Sequence, residues 1–283
     1  MLVFYKNHLD FITERSIDPD RRAHVIEGEA ARHFLDADHF GSYPFTEIPR
    51  KREKAIVRYS LDTLEKYGML PWAIYDHYQL LVKAFETMDA KRILLYSAYL
   101  GHYVADACTP LHTSLYYNGR TYMSQGIHAL WETRLPELYA STYSYITGKP
   151  EPIDCALEKA WELILESHLK VDTIYMVFYN LVDSLTADRI YSHEMRGQAL
   201  QRVFSADFSG VFHANLEGMV ERQMRRAVNA ISGYWYAAWH EAGEPDLKPL
   251  VSGSLHRRLQ RFMRSEERAM KQNGSQSGFQ RYR

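Results

Sequence analysis

Between Leu61 and Phe85 apolar residues return every three to four positions, the period of one buried helical face. Gly68-Met69-Leu70-Pro71-Trp72 interrupts the run with a glycine stop and a proline suited to opening a new helix. From about Ala90 to Thr109, residues Ile93, Leu94, Tyr96, Ala98 and Leu100 give a wide apolar face, and Ala156 to Val182 is apolar and helix-favouring. Leu216 to Ala242 ends at Gly243, with Pro245 two residues beyond, a helix stop. No hairpin dipeptide sits between alternating runs, so strands are not expected, and no fixed-period repeat is present. The expected fold is all-α, a single-domain multi-helix bundle. Phe34 to Arg52, with Gly41, Pro44 and Pro49 among acids and aromatics, reads as an ordered loop.

Composition adds boundaries to that picture. With 283 residues, 46% apolar and 24% charged, disorder, collagen and coiled-coil classes are excluded for the bulk of the chain. A balance of 34 basic to 35 acidic residues argues against a surface that grips nucleic acid everywhere, while leaving room for a local basic channel. No apolar run approaches the ~18–20 residues of a membrane span. Residues 251–283 carry eight Lys or Arg against two Glu, so a helical domain over 1–250 is expected to lead into a basic, mobile tail. Such a tail suits acidic lipid or nucleic acid, although a solvated appendage is the plainer reading. Cys108 and Cys155 allow at most one disulfide, and the start at Met1 lacks the pattern of a secretory signal.

Candidate chemistry lies among the 13 histidines. His102 and Asp106 are four apart in a helical segment, as are His128 and Glu132, so each pair can offer an imidazole and a carboxylate to one cation. Pro110 bends or ends the first helix and can turn His112 toward the same place. Asp18 and His33 stand in a stretch dense with acids. A lone pair of this kind is more often an ordinary ion pair. Together the residues supply only imidazoles and carboxylates, a mix suited to catalytic Zn²⁺ with an open position rather than to a structural, thiolate-bound site.

The order of these residues resembles the zinc-dependent phospholipase C and S1/P1 nuclease superfamily. The pattern is carried by Ser16-Ile17-Asp18-Pro19-Asp20, by Arg32-His33-Phe34-Leu35-Asp36, by Gly101-His102 through Asp106 to Pro110-Leu111-His112, and by Gly126-Ile127-His128-Ala129-Leu130-Trp131-Glu132. It covers roughly residues 2–245, and the His102-to-His112 stretch is its most specific part. The resemblance implies one zinc on Asp18, His33, His102 and Asp106, and a second on His112, His128 and Glu132. Asp18 would serve as both ligand and general base, and Phe34 and Asp36 as substrate contacts. The family's third zinc uses an N-terminal Trp and a nearby His. Neither has a counterpart here, where His8 falls too late, so the chain itself supports two sites. Family members are typically exported, and the implied reading is a start truncated upstream of Met1.

The implied activity is hydrolysis of a phosphodiester. Glu132, where nucleases more often place Asp, and the short gap of 16 residues from His112 to His128 lean toward the phospholipase C branch. Pro19 and Ala30 stand where a choline pocket would want rings, so phosphatidylcholine is not singled out. A phospholipid substrate with peripheral membrane contact is expected ahead of a nucleic acid. An S1/P1-type single-strand nuclease or 3′-nucleotidase is one alternative. An inactive scaffold with structural zinc is the other.

Overall fold

A computed structural model describes residues 1–251 together with Arg261 and Ser265. The basic tail expected beyond Val251 lies outside the described residues. Helices among the described residues include α1 (Leu9–Arg15), α2 (Asp18–Ala23), α3 (Leu70–Glu86), α4 (Ala90–Ala107), α5 (Ala156–His168), α6 (Val171–Val182), α7 (Ala206–Asn215) and α8 (Met219–Glu241). The chain is mostly helical, as its periodicity predicts. Among the described residues no helix is long and apolar enough to cross a membrane.

Helices α3 and α4 form the most extensive pair, with α5 and α8 packed against them. Their shared interior takes Leu70, Trp72, Ile74 and Phe85 from α3, Ile93, Leu94 and Leu100 from α4, and Trp161 from α5. A second cluster gathers Leu111, Ile127, Leu130 and Trp131 with Phe178 of α6, Phe208 and Phe212 of α7. Both cores are closed by large side chains at or near zero exposure, each worth about 1.5–3 kcal/mol of transfer free energy. A shorter helix over Leu61–Tyr67 precedes α3 and ends at Gly68, as its sequence suggests. At φ 102° a Cβ there would meet Phe34 O at 2.1 Å, so only glycine lets the two strands of chain pass.

One expectation about the fold needs correction. A two-stranded antiparallel sheet pairs β1 (Tyr191–Arg196) with β2 (Ala199–Phe204), joined by Gly197-Gln198 with Gly197 at φ 64°. That glycine opens the turn as a Gly-X hairpin requires, but the flanking runs carry little apolar alternation because most of β2 faces solvent. The helix-favouring stretch Ala156–Val182 forms two helices, divided at Leu169 and Lys170. Cys108 and Cys155 are free thiols, the first buried and the second exposed.

Candidate metal centre

The site forms where the two cores meet. Helix α4 ends at Ala107; Pro110 then opens a 3₁₀ turn, Pro110–Thr113, that carries His112 back beside Asp106. The segment bearing His33 is stitched in place by backbone bonds. Leu35 N–H donates to His112 O at 2.9 Å, Asp36 N–H to Tyr67 O at 2.8 Å, and Met69 N–H to Ala31 O at 2.6 Å. His128 and Glu132 lie on the helical stretch from Ile127 to Tyr139, which widens into a π-helix over Leu130–Arg134. Pro136 supplies the cause: it has no N–H for an α-helical bond to Glu132, and its ring crowds that carbonyl. Arg134 of this stretch donates both terminal nitrogens to Glu194 of β1, and Arg196 pairs with Glu137, so the hairpin braces the π segment.

Two groups of side chains converge there with metal-ligand spacing: Asp20, His33 and His102, and His112, His128 and Glu132. In the first, His33 Nδ1 lies 3.0 Å from His102 Nε2, and Asp20 Oδ1 lies 3.6 Å and 3.4 Å from those nitrogens. Asp106 adjoins this group, its Oδ2 3.0 Å from His33 Nδ1 and 3.4 Å from His102 Nε2, while its Oδ1 lies 3.7 Å from His112 Nδ1. In the second, His128 Nε2 stands 2.9 Å from His112 Nε2 and 2.7 Å from Glu132 Oε2, and His112 Nε2 is 3.2 Å from the same oxygen.

The donor set fits a cation. Ligands bound tetrahedrally at 2.0–2.1 Å sit about 3.3–3.4 Å from one another, and the observed spacings bracket that edge. His112 Nδ1–H donates to His33 O at 2.6 Å, which fixes the tautomer and leaves Nε2 as the lone-pair donor facing His128 and Glu132. Thiolates are absent from both groups, so the ligand chemistry is that of an imidazole–carboxylate site.

Electrostatics point the same way. Burial by itself would depress His112, yet the charges of Glu132 and Asp106 outweigh it and push the imidazole up to about 10. Burial likewise opposes ionisation of Glu132, but His112 and His128 hold its carboxyl well below the usual range. His102 is raised, its burial outweighed by Asp106 and Asp20, and Asp20 is lowered, its own burial outweighed by His102. Without a cation, protons partly balance the carboxylates, and a bound cation would displace them.

Asp18 stands apart from both groups. Its carboxylate is fully buried and accepts from Arg15 Nη1 at 3.2 Å, Arg21 Nη1 at 3.2 Å and the Tyr99 hydroxyl at 3.4 Å. Two guanidinium groups thus take the carboxylate that was expected at the metal, and Asp20, one turn-half further along α2, faces His33 and His102 instead. The remaining six expected ligands come together: His33, His102 and Asp106 around the first group, His112, His128 and Glu132 in the second. Phe34 is half-buried beside them, and Asp36 is buried, its carboxyl pushed up to about 7 by that burial and by Asp38.

A layer that the sequence did not single out supports the first group. Glu29, buried, accepts from the Tyr103 hydroxyl and from Arg22 Nη2 at 3.3 Å, with Arg32 Nη1 3.4 Å away. The Tyr103 ring packs edge-on against His33 and His102 at 5.3 Å and 5.7 Å between centroids. Behind it lies His77, whose Nδ1–H donates to Ala73 O at 2.9 Å and whose ring centroid is 4.7 Å from that of Tyr103.

A scan against protein-family models finds no match to this chain, and a search of curated proteins finds none either.

Proposed function

We propose that this protein is a zinc-dependent phosphodiester hydrolase of the phospholipase C and S1/P1 nuclease type, with a lipid phosphodiester as substrate. The observation that carries the reading is the convergence of His112 Nε2, His128 Nε2 and Glu132 Oε2 within 2.7–3.2 Å, next to a parallel group built on Asp20, His33 and His102. Asp20, His33, His102 and Asp106 would hold one zinc, and His112, His128 and Glu132 another. Bound there, zinc supplies positive charge to a phosphoryl oxygen and brings the pKa of water to ~7.

The chain's own residues define the rest. Asp20 is exposed over 64% of its side chain, and its lowered pKa keeps it ionised at neutral pH, so it takes the general-base role expected of Asp18. Asp18 instead neutralises Arg15 in the wall behind. Leu115, Tyr116, Tyr117, Tyr122 and Met123, all exposed, form an apolar flank in the loop between His112 and His128. Such a flank suits acyl chains or the membrane interface. Phe34, half-buried and next to His33 in the chain, would be a substrate contact.

The Tyr117 ring, 5.7 Å from that of His128, also favours a second reading, since tyrosines can stack the bases of single strands. One assay separates the two. Zinc-loaded protein is expected to release product from p-nitrophenyl phosphorylcholine or phospholipid vesicles, and single-stranded DNA is expected to persist. Degradation of the DNA alone would establish the nuclease reading, and turnover of neither substrate would sink both.

A further inference from the structure

Away from the histidine groups, α5 and α8 enclose a groove of about 390 Å³ with a charge pattern that its own side chains do not balance. Four cations, Lys159, Arg222, Arg225 and Arg226, line it against three carboxylates, Glu151, Glu162 and Glu166. Lys159 uses two of the carboxylates, at 3.0 Å to Glu151 and 2.7 Å to Glu162. Glu166 pairs with Arg226, whose Nη1 remains buried without a hydrogen-bond partner among the described residues. Arg222 and Arg225 have only carbonyls: Arg222 donates to Glu217 O, and Arg225 to Ser144 O at 2.7 Å and Ile146 O at 3.0 Å. Carbonyls satisfy N–H groups but leave the positive charge in place, and neither arginine has an acidic partner among the described residues. The field extends to Lys170, which burial, and after it the Arg226 charge, hold below its ordinary pKa.

We propose that this groove binds a small phosphate-bearing ligand. Arg222, Arg225 and Arg226 recur at three and four residues along α8, so their guanidinium groups share one face, and a planar fork of N–H donors matches phosphate oxygens. The volume exceeds that of a bare ion and lies in the lower range of small-molecule sites, so the phosphate is expected to carry an organic group. No residue of the groove belongs to either histidine group, and the site is independent of the proposed hydrolytic reaction. It is nonetheless one layer from Asp106. Ser167, next to Glu166, donates to Ala107 O at 2.7 Å, and Gln223, next to Arg222, donates to Cys108 O at 2.6 Å.

The test uses the full chain after chelation, so that phosphate cannot be retained by a metal. Calorimetric titration with inorganic phosphate and with glycerol 3-phosphate is expected to show one site, the ester binding more tightly. Arg222→Gln, which disturbs only a carbonyl contact at a helix start, is expected to weaken both by at least about tenfold with the thermal midpoint unchanged. Arg222→Gln/Arg225→Gln is expected to abolish binding. Lys54→Gln, an exposed change on another part of the molecule, controls for general charge and is expected to alter neither affinity. Absence of binding by the parent chain would overturn the proposal. So would equal affinities for the parent and Arg222→Gln, or equal weakening by Lys54→Gln.

Discussion

The two histidine groups solve one problem with different parts of the chain. His112, His128 and Glu132 come from 21 consecutive positions, and two of them share a single helical stretch. Asp20, His33 and His102 come from α2, a 3₁₀ turn and α4, and meet only because the backbone of residues 31–36 is bonded to residues 67–69 and 112. The second group therefore depends on local geometry, braced by the Arg134–Glu194 pair. The first depends on tertiary packing and on a buried layer of Glu29, Tyr103 and His77. A local site is written in spacing; a long-range site is decided by whatever else competes for its side chains.

The largest effects should come from the imidazoles. His102→Ala and His128→Ala are each expected to remove one equivalent of metal and to lower hydrolysis at least ~10³-fold, the equivalent of about 4 kcal/mol of lost charge stabilisation. Full activity in either variant would remove that group from the reaction. Next come the two aspartates, which the comparison predicts to behave oppositely. Asp18→Asn leaves Arg15, only 2% exposed, without its buried counter-charge and is expected to cost about 3–5 kcal/mol in urea unfolding with metal content unchanged. Asp20→Asn is expected to lose metal while stability moves within about 0.5 kcal/mol. The opposite pattern would return Asp18 to the metal.

Acid should act on the layer behind the first group. Burial, aided by the charges of Arg32 and Arg22, depresses His77 from 6.5 to about 4 in the folded protein. The unfolded chain thus binds the proton more readily. Stability from the neutral imidazole is complete above pH 6.5 and falls as pH drops toward about 4, by about 3 kcal/mol in all. His77→Gln is expected to remove that dependence, and an unchanged pH profile in this variant would contradict it. A smaller effect is expected from Tyr103→Phe. Loss of a donor to the buried Glu29 carboxylate should cost about 2 kcal/mol and weaken metal binding at the first group alone.

This contrast also explains what could be read in advance. The i, i+4 pairs His102/Asp106 and His128/Glu132 and the helix-ending Pro110 are local features, and the fold holds the paired atoms 3.4 Å and 2.7 Å apart. Asp18 and Asp20 both sit in one acid-rich stretch, and proximity in sequence does not choose between them. Arg15, Asp18 and Arg21 recur at three-residue steps, the spacing of helical ion pairs, and that signal marks Asp18 as already engaged. The β1–β2 hairpin escaped because its outward faces lack alternation, leaving only Gly197 as a cue. The division between α5 and α6 has neither Gly nor Pro to announce it; packing of Val171 and Ile174 into the second core sets the new direction. Glu29 reads as one acid among several until Tyr103, 74 residues away, meets it.

Anomalous X-ray diffraction at the zinc edge, on crystals of the zinc-loaded chain, tests the metal assignment most directly. Two peaks are expected: one within about 2.0–2.1 Å of His33 Nδ1 and His102 Nε2, the other at the same distance from His112 Nε2 and His128 Nε2. A difference map with no ion at either place, or with zinc held only by other side chains, would contradict the assignment and with it the proposed hydrolase.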